Sequence, residues 1–254
     1  MTIDRPKISV CMAAFQGERY IGCQLRSILA QLADGDEVIV VDDHSSDKTC
    51  DEVRSLCDAR IRLFEQDANQ GVARTFEEAL SHATGGVIFL SDQDDLWAPG
   101  KVARVMQTFE VSPQVTLVAT DAMLIDERGE RAGASYYASR GRFCSGFLSN
   151  LVRCKFLGCT MAFRSELLAR VLPFPHDRDV LHDIWIGVIN SVTNGRTSFI
   201  DEPLVCYRRH SSNVTGGELS RMRQMRTRWH LIKAVAGCWV RGRLCRRAGA
   251  PIDG

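Results

Sequence analysis

Two adjacent carboxylates, Asp42 and Asp43, follow directly on the apolar residues 38–41 and precede a polar segment that leads into a predicted helix. Ligands of open α/β sheets bind at the carboxyl ends of strands. A carboxylate at such a place can accept a hydrogen bond from a ring N–H, for example N3 of uracil or thymine. The alternative is a structural role, in which Asp43 or Ser46 caps the following helix.

Three carboxylates within four positions, Asp92, Asp94 and Asp95, follow another apolar run at residues 86–90. Their negative charges repel one another, so a bound cation is expected to compensate them. Carboxylate oxygens suit Mg²⁺ or Mn²⁺, which commonly bridge a few carboxylates and the phosphates of a substrate. The alternative is a solvated acidic turn before a helix. Because this cluster follows a strand of the same predicted sheet as the first acidic pair, the sequence favours a metal site.

Two motifs in the second half of the chain combine acidic, basic and hydroxyl groups. Asp183 lies between His182 and bulky apolar residues in an amphipathic helical pattern, which suits a general base or an exposed helix residue equally. Residues 207–217 contain arginines, His210, hydroxyls and glycines, a composition suited to the oxyanions of a diphosphate. A solvated basic loop has the same composition, so neither motif decides its own role.

The elements that must position these residues alternate between short apolar runs and helical patterns. This order predicts an α/β fold with a mostly parallel mixed sheet and helices on both faces. Strands are predicted at 7–14, 37–41, 60–65, 86–90, 115–120, 159–163 and 197–207, and helices at 20–33, 48–57, 71–83, 101–109, 165–171 and 180–191. Residues 128–142 are predicted to form an exposed excursion. We expect one domain over residues 1–217 and a basic helical tail over 218–254.

The composition is that of an ordinary globular protein, with 45% hydrophobic and 25% charged residues. No apolar run approaches the roughly 18–20 residues that span a bilayer, and the N-terminal apolar stretch is too short for a signal peptide. The sequence therefore predicts a cytoplasmic protein. The ten cysteines form no Cys-X-X-Cys pair. Many of them lie in apolar runs, which favours free buried thiols over disulfides or a zinc site.

Charge is concentrated at the C-terminal end. From Leu219 onward there are nine Lys and Arg against one acidic residue, a net charge of +8, whereas the rest of the chain carries −7. Among these cations, apolar residues recur at three- and four-residue steps: Met222, Met225, Trp229, Ile232, Val235, Ala236, Trp239 and Val240. This pattern predicts a helix that lies on an anionic membrane surface. The alternative is that the stripe packs on the domain or forms a dimer contact. No nucleic-acid partner is expected, because the body offers no second basic or aromatic surface.

Together and in this order, the motifs resemble the family 2 glycosyltransferases, whose nucleotide-sugar-binding domain has the GT-A fold. The resemblance covers residues 8 to about 217. The matching segments are SVCMAAF at 9–15, VDDHS at 41–45, NQGVA at 69–73 with the family's Asn-X-Gly pattern, and SDQDD at 91–95 with its Asp-X-Asp metal motif. No single motif is decisive, but four in sequence order are highly specific for this family.

The resemblance implies a nucleotide-sugar-binding role for matching residues. Asp43 would contact the pyrimidine ring, and Asp42 would support the turn or the ribose. Asp92 would face the ribose or a metal-bound water, and His210 would lie near the diphosphate or the metal. The full set of expected donor-binding residues is Ala13, Phe15, Asp42, Asp43, Asn69, Gly71, Asp92 and His210.

The resemblance also implies the catalytic groups. Asp94 would be the direct ligand of Mg²⁺ or Mn²⁺, with Asp92 and His210 as further ligands. Asp183 stands where the family has its catalytic base, usually in a Glu-Asp pair, and His182 replaces the glutamate here. One base would remove the acceptor proton as the hydroxyl attacks the anomeric carbon, so the configuration would invert without a carboxylate nucleophile. The metal and cationic groups would stabilise the leaving nucleoside diphosphate.

The motifs look most like bacterial rhamnosyltransferase-type members that build surface polysaccharide. The expected donor is therefore dTDP-rhamnose, with a UDP-hexose or UDP-N-acetylhexosamine as the alternative. The expected acceptor is a saccharide or a glycan on a polyprenyl diphosphate, reached at the inner face of the plasma membrane through the basic tail.

Three competing classes make different demands on the sequence. A nucleotidyltransferase would show a Gly-rich loop with Arg or Lys after the first strand, and a dehydrogenase would show Gly-X-Gly-X-X-Gly there. Residues 13–18, AAFQGE, match neither. A non-catalytic nucleotide-sugar-binding protein of the same fold is the remaining alternative. Retention of every expected carboxylate argues against it.

Overall fold

The computed structural model describes residues 5–141, 143–146, 156–175, 180–210 and 221–240. The strands are β1 Ile8–Ala14, β2 Glu37–Asp42, β3 Ile61–Glu65, β4 Val87–Asp92, β5 Leu96–Trp97, β6 Val115–Ile125, β7 Arg131–Ser135, β8 Met161–Arg164 and β9 Arg196–Arg208. The α-helices are α1 Ile21–Leu29, α2 Thr49–Ser55, α3 Val72–Ser81, α4 Lys101–Val111, α5 Tyr136–Arg140, α6 Leu168–Val171, α7 His182–Val192 and α8 Arg221–Val240. Short 3₁₀ turns occur at Gly158–Thr160 and Ser165–Leu167.

The strands form one mixed sheet in the order β3-β2-β1-β4-β8-β6-β9-β5, and β7 pairs with β6. Strands β1 to β4 are parallel to one another, and β6 is parallel to β9. Strand β8 runs antiparallel to both β4 and β6. The predicted α/β fold with a mixed sheet is therefore confirmed, and its continuous parallel part is the N-terminal half.

Helices cover both faces of the sheet, as the sequence predicts. All six residues of β2 are buried, because a central parallel strand has a helix layer on each side. Val10 and Met12 of β1 face one core, which α1 and α4 complete, whereas Cys11 faces a second core that contains side chains of α3 and α7. This alternation follows from the two-residue period of a strand.

The register of the parallel strands brings the two acidic clusters to one edge. Ala14 of β1 pairs with Asp42 at the end of β2, and Ala13 pairs with Asp92 at the end of β4. Because β1 lies between β2 and β4, only the C-terminal end of this one strand lies between the two acidic clusters. The expected common edge is confirmed.

The predicted excursion at residues 128–142 contains regular structure. Strand β6 continues to Ile125, beyond its predicted end at residue 120, because β9 pairs with it as far as Arg208. After a turn, β7 returns antiparallel to β6 and leads into α5. All of β7 except its last residue is exposed, in agreement with the predicted exposure.

The C-terminal helix α8 contacts the domain through part of its surface. Leu231 is 2% exposed and belongs to the second core, and Ala234 and Val235 pack against that core. Trp229 and Ile232 are exposed. The predicted domain boundary at 217/218 and residues 211–217 of the basic loop lie outside the described residues. Within the described part of the chain, no helix is long and apolar enough to cross a bilayer.

Candidate active site

The carboxylates after β2 bind backbone amides of two different turns. Asp42 accepts hydrogen bonds from the backbone N–H and the hydroxyl of Ser45, at 2.7 and 2.6 Å. Asp43 accepts from the backbone amides of Gln70 and Gly71, at 2.6 and 2.9 Å. Neither carboxylate caps α2, which begins after Lys48 without a side-chain cap. The capping alternative for this acidic pair is therefore wrong.

The Asn-X-Gly segment is fastened to the acidic turn. Asn69 donates its side-chain amide to the backbone oxygen of Asp43 at 3.2 Å. Gly71 has a φ of 89°, a conformation that favours glycine, and this directs its amide to the Asp43 carboxylate as α3 begins. The residues expected to bind the nucleoside thus form one hydrogen-bonded unit. Each carboxylate oxygen of Asp43 keeps a second lone pair for a ligand, and base recognition by Asp43 stays a prediction.

At the end of β1, Phe15 is joined to the metal motif by a residue that the sequence did not single out. Gln93 accepts a hydrogen bond from the Phe15 amide at 2.8 Å and donates one to the Phe15 carbonyl oxygen at 2.7 Å. The Phe15 side chain is 43% exposed. Ala13, two residues before Phe15, is paired with Asp92 of β4. Both expected donor-binding residues of β1 therefore border the acidic turn.

Asp94 and His210, which are 116 positions apart, are in direct contact. The Nε2 atom of His210 lies 2.6 Å from a carboxylate oxygen of Asp94. The imidazole also stacks on the ring of Tyr20, with 5.7 Å between ring centroids. The sequence predicts that both residues belong to a metal site, and the structure brings them together.

Arg208 fixes the backbone of the acidic turn from β9. Its Nε donates to the Asp94 carbonyl oxygen at 2.8 Å, and one Nη donates to the carbonyl oxygen of Asp126 at 3.0 Å. Its backbone amide donates to the Asp95 carboxylate at 2.9 Å, and its guanidinium lies over the ring of Tyr20. The sequence analysis assigned this arginine to a diphosphate-binding loop. Its side chain is instead buried and donates to carbonyl oxygens, which is a structural role.

Like charges crowd the acidic turn, and the buried ammonium of Lys101 offsets them only in part. Burial and the neighbouring charges of Asp95, Asp94 and Asp183 together raise the pKa of Asp92 well above its usual value. Asp183, from α7, accepts a backbone hydrogen bond from Gly158, the neighbour of Cys159, whose sulfur lies within 4.8 Å of carboxylate oxygens of Asp92 and Asp95. This distant carboxylate therefore lies close to the turn. A bound cation would relieve the repulsion.

Among the described residues, Asp92, Asp95 and Cys159 have possible metal-ligating atoms within 4.8 Å of one another. Cys159 offers a soft sulfur ligand, which is typical of zinc and iron–sulfur sites. Mg²⁺ and Mn²⁺ instead prefer oxygen ligands. Asp94 and His210 are in contact, but among the described residues they do not form such a group with Asp92. That Asp94, Asp92 and His210 hold the cation stays a prediction.

Asp183 and His182 begin α7 and have different surroundings. Burial raises the pKa of Asp183 to about 6, although amide hydrogen bonds, including one from Ile184 at 2.7 Å, act in the opposite direction. Burial lowers the pKa of His182 to about 3, so its ring is neutral. His182 stacks on Phe76 at 3.9 Å between centroids, and its ring nitrogens have no hydrogen-bond partner among the described residues. His182 is a packing residue, and Asp183 has the properties of a base.

A mixed α/β sheet with two clusters of carboxylates at one edge is the architecture of a GT-A domain. Residues 9–169 match the model of the family described as Glycosyl transferase family 2. The chain belongs to this family.

Two relatives illustrate the range of similarity. An uncharacterized glycosyltransferase of Nostoc sp. (strain PCC 7120) is 30% identical over 219 residues, which cover 82% of this chain and 66% of the relative. The Escherichia coli protein WfgD is named as a UDP-Glc:α-D-GlcNAc-diphosphoundecaprenol β-1,3-glucosyltransferase. It is 22% identical over 227 residues, covering 89% of this chain and 85% of WfgD. The chain spans 46% of the length of a third relative, EpsE of Bacillus subtilis.

Two solved structures share the fold. Staphylococcus aureus TarS 1–349 in complex with UDP-GlcNAc has a TM-score of 0.67 and 17% identity, covering 93% of this chain and 72% of that chain. The mannosyltransferase PcManGT of Pyrobaculum calidifontis, solved with GDP-Man and Mn²⁺, has a TM-score of 0.59 and 24% identity. That likeness covers 98% of this chain and 67% of the mannosyltransferase. These structures confirm the predicted GT-A fold.

Proposed function

We propose that this chain transfers a sugar from a nucleoside diphosphate to a hydroxyl of a glycan acceptor, with inversion at the anomeric carbon. The observation that carries the proposal is the meeting of three distant segments at one edge of the sheet. These are the acidic turn after β4, Asp183 in the first turn of α7, which is hydrogen-bonded to Gly158 beside that turn, and His210 after β9. Together they supply the base and the metal-binding groups that such a transfer requires.

Asp183 is the proposed general base. With a pKa of about 6 it is ionised at neutral pH and still basic enough to accept a proton as the acceptor oxygen attacks. The bond from the anomeric carbon to the diphosphate breaks on the opposite face of the sugar. This single displacement needs no carboxylate nucleophile, unlike the reaction of a retaining glycosidase.

Asp94, Asp92 and His210 are proposed to hold Mg²⁺ or Mn²⁺. When bound, the cation would neutralise the negative charge that develops on the leaving diphosphate. The presence of Mn²⁺ in the structure of the related mannosyltransferase supports this assignment. The nucleoside would lie at the neighbouring strand ends, in contact with residues from Ala13, Phe15, Asp42, Asp43, Asn69 and Gly71.

The donor is proposed to carry a pyrimidine base. The motifs favour dTDP-rhamnose, whereas the names of two similar proteins, with UDP-Glc and UDP-GlcNAc, support a UDP-sugar as the alternative. Asp43 could accept a hydrogen bond from N3–H of either base, so this residue does not distinguish uracil from thymine. A screen of nucleotide sugars identifies the sugar.

The acceptor is proposed to be a saccharide or a glycan on a polyprenyl diphosphate, within polysaccharide or glycolipid assembly. The diphosphoundecaprenol acceptor in the name of WfgD supports this chemistry. An acceptor with a lipid anchor requires the enzyme at a membrane surface, on the cytoplasmic side where nucleotide sugars are made. The excess of cations after Leu219 would bring the protein to anionic lipid.

A nucleotide-sugar panel with Mn²⁺ tests this function. A donor that binds the folded protein raises its melting temperature by mass action, which identifies the base and the sugar. The best donor is then incubated with a synthetic polyprenyl-diphosphate sugar, and NMR of the product gives the anomeric configuration. Retention would contradict the mechanism, and absence of any binding would contradict the function. Donor binding without transfer or donor hydrolysis would favour the non-catalytic alternative.

A further inference from the structure

Gln93 stands between the two carboxylates expected to meet the metal, yet its side chain points away from them to a neighbouring strand end. Its carboxamide forms two hydrogen bonds with the backbone of Phe15, one through each polar atom. Because β1 and β4 are adjacent and parallel, these bonds join the loop after β1 to the acidic turn after β4. A paired contact of this kind fixes both the position and the orientation of the peptide groups.

The other side of the same loop is held by the turn after β2. The backbone amides of Gln16 and Gly17 donate to the hydroxyls of Ser45 and Thr49, at 2.9 and 2.7 Å. The amide of the next residue donates to Asp47 at 3.1 Å. The loop at residues 15–18, here called the β1 loop, is therefore clamped between the predicted base-binding turn and Gln93.

Gly17 leaves the space that the Gln93 carboxamide occupies. A Cβ atom at Gly17 would lie 2.1 Å from the Oε1 atom of Gln93 and 2.5 Å from its Cδ. The backbone of Gly17 does not have a positive φ, so an alanine could adopt its conformation. The contact with Gln93 is thus the steric reason for a glycine at this position.

We propose that Gln93 is a positioning residue for the nucleotide of the donor, which it serves by holding the β1 loop beside the base-binding turn. The inference rests on the proposed function, since it assigns a part of the same donor site. Gln93 acts through Phe15 and does not itself touch the donor or the cation. Its loss therefore weakens nucleotide binding even when no metal is present, whereas loss of Asp94 removes only the contribution of the metal.

The test measures the affinity of the full chain for UDP and dTDP by calorimetry, once in EDTA and once in Mn²⁺. Gln93→Met keeps the length of the side chain and removes both hydrogen bonds. We expect its dissociation constant to rise roughly tenfold in both media, the effect of losing two neutral hydrogen bonds. Asp94→Ala should match the wild type in EDTA and lose the enhancement by Mn²⁺. In turnover, Gln93→Met should raise KM for the donor and leave KM for the acceptor unchanged.

Gln107→Met is the matched control, because Gln107 is an exposed glutamine on α4 outside the site. If wild type and Gln93→Met bind the nucleotides equally well in both media, Gln93 is not a positioning residue and the proposed function stands. If the wild type binds neither nucleotide in either medium, the proposed function and this inference both fail. A loss confined to Mn²⁺ would assign Gln93 to the metal site and overturn the inference.

A second pair of variants tests the contact independently of ligands. Gly17→Ala should lower the melting temperature in the wild-type background, because its methyl group meets the Gln93 side chain. In the Gln93→Ala background the same change should have little effect, so the two changes should be strongly non-additive. Additive effects would show that Gly17 and Gln93 do not meet, and would remove the geometric basis of the inference.

Discussion

At the scale of single residues, Asp183 joins two properties that a general base needs. It lies near the acidic turn, because it is hydrogen-bonded to Gly158 beside Cys159, and burial raises its own pKa to about 6. Its neighbour His182 is neutral and packed on Phe76, so it does not share the proton. The carboxylate therefore carries the proposed base role alone, without the acidic partner that is usual in the family.

The pH dependence of turnover tests this role. Because a base works in its deprotonated form, kcat should be highest above pH 6 and should decrease as the pH falls below 6. Asp183→Asn, which is nearly isosteric and cannot take a proton, should lower kcat by at least ~10²-fold above pH 6 and should remove this pH dependence. Donor affinity, measured by calorimetry, should stay near that of the wild type. Collapse of donor binding with normal turnover of bound donor would instead make Asp183 a binding residue.

Asp94 is the residue through which metal dependence is best tested. Its carboxylate contacts His210, and its carbonyl oxygen is held by Arg208, so the side chain is fixed at the site. Asp94→Ala should abolish transfer and the increase of nucleotide affinity by Mn²⁺. Both are measured by product formation and calorimetry with and without the metal. Undiminished transfer by the wild type in excess EDTA would exclude a metal requirement.

At the scale of elements, the carboxylate of Glu37 joins the strands at the end of the sheet opposite to the candidate active site. Glu37 at the start of β2 accepts hydrogen bonds from the Ser9 hydroxyl at 2.6 Å, the Thr84 amide at 2.8 Å and the Arg62 guanidinium at 2.9 Å. Burial by itself raises the pKa of Glu37, but these bonds outweigh it and lower the pKa to about 2. Glu37 thus links β1, β2, β3 and the segment before β4.

Glu37→Gln should therefore destabilise the fold without touching the site. Loss of charge-assisted hydrogen bonds costs about 1–3 kcal/mol, which corresponds to a decrease of roughly 2–12 °C in melting temperature for a chain of this size. Because the folded pKa is depressed, the ionised form contributes its stability above the unfolded pKa near 4.5, and this contribution disappears as the pH falls toward 2. The difference between variant and wild type should shrink over that range in thermal melts. Glu110→Gln, at an exposed position on α4, is the control, and an equal effect of both changes would contradict the assignment.

The elements differ in how much of them the sequence encodes. Strands such as β2 and helices such as α3 have long apolar patterns, and they occur close to their predicted positions. Strand β5 has two residues and exists because Leu96 and Trp97 pair with β9, which no local pattern reveals. Strand β7 is polar and exposed, and its partner β6 determines it.

The same distinction applies to the site. Acidic clusters at strand ends were readable, because a residue type and a topological position together indicate chemistry. The roles of Gln93 and Arg208 were not readable, because their partners are backbone atoms of distant segments. Phe15, bound by Gln93, and Asp126, bound by Arg208, are both about 80 residues away. Only the folded arrangement identifies such pairs.

At the scale of the whole molecule, helix α8 presents two kinds of surface. Val235 of the predicted apolar stripe packs against the second core, next to the buried Leu231, so the stripe is in part a packing surface. Trp229 and Ile232 are 57% and 39% exposed, and the Lys233 ammonium lies 5.0 Å from the centre of the Trp229 ring. An exposed tryptophan beside cations is typical of a helix at a membrane interface, with its ring among the lipid headgroups.

The last prediction concerns this outward surface. Each cation near anionic lipid contributes about 1 kcal/mol to membrane binding, and insertion of the Trp229 ring among the lipids buries further apolar area. The full chain should therefore sediment with anionic liposomes at low salt. It should stay in the supernatant with neutral liposomes, and higher salt should release it from anionic liposomes.

The double change Trp229→Ser and Ile232→Ser should weaken this binding at unchanged melting temperature, since both side chains are exposed. Val111→Ser, at a 75% exposed position on α4, is the matched control and should bind like the wild type. If the wild type remains in the supernatant with anionic lipid at low salt, or if the double variant binds as well as the control, α8 does not bind membranes through this surface.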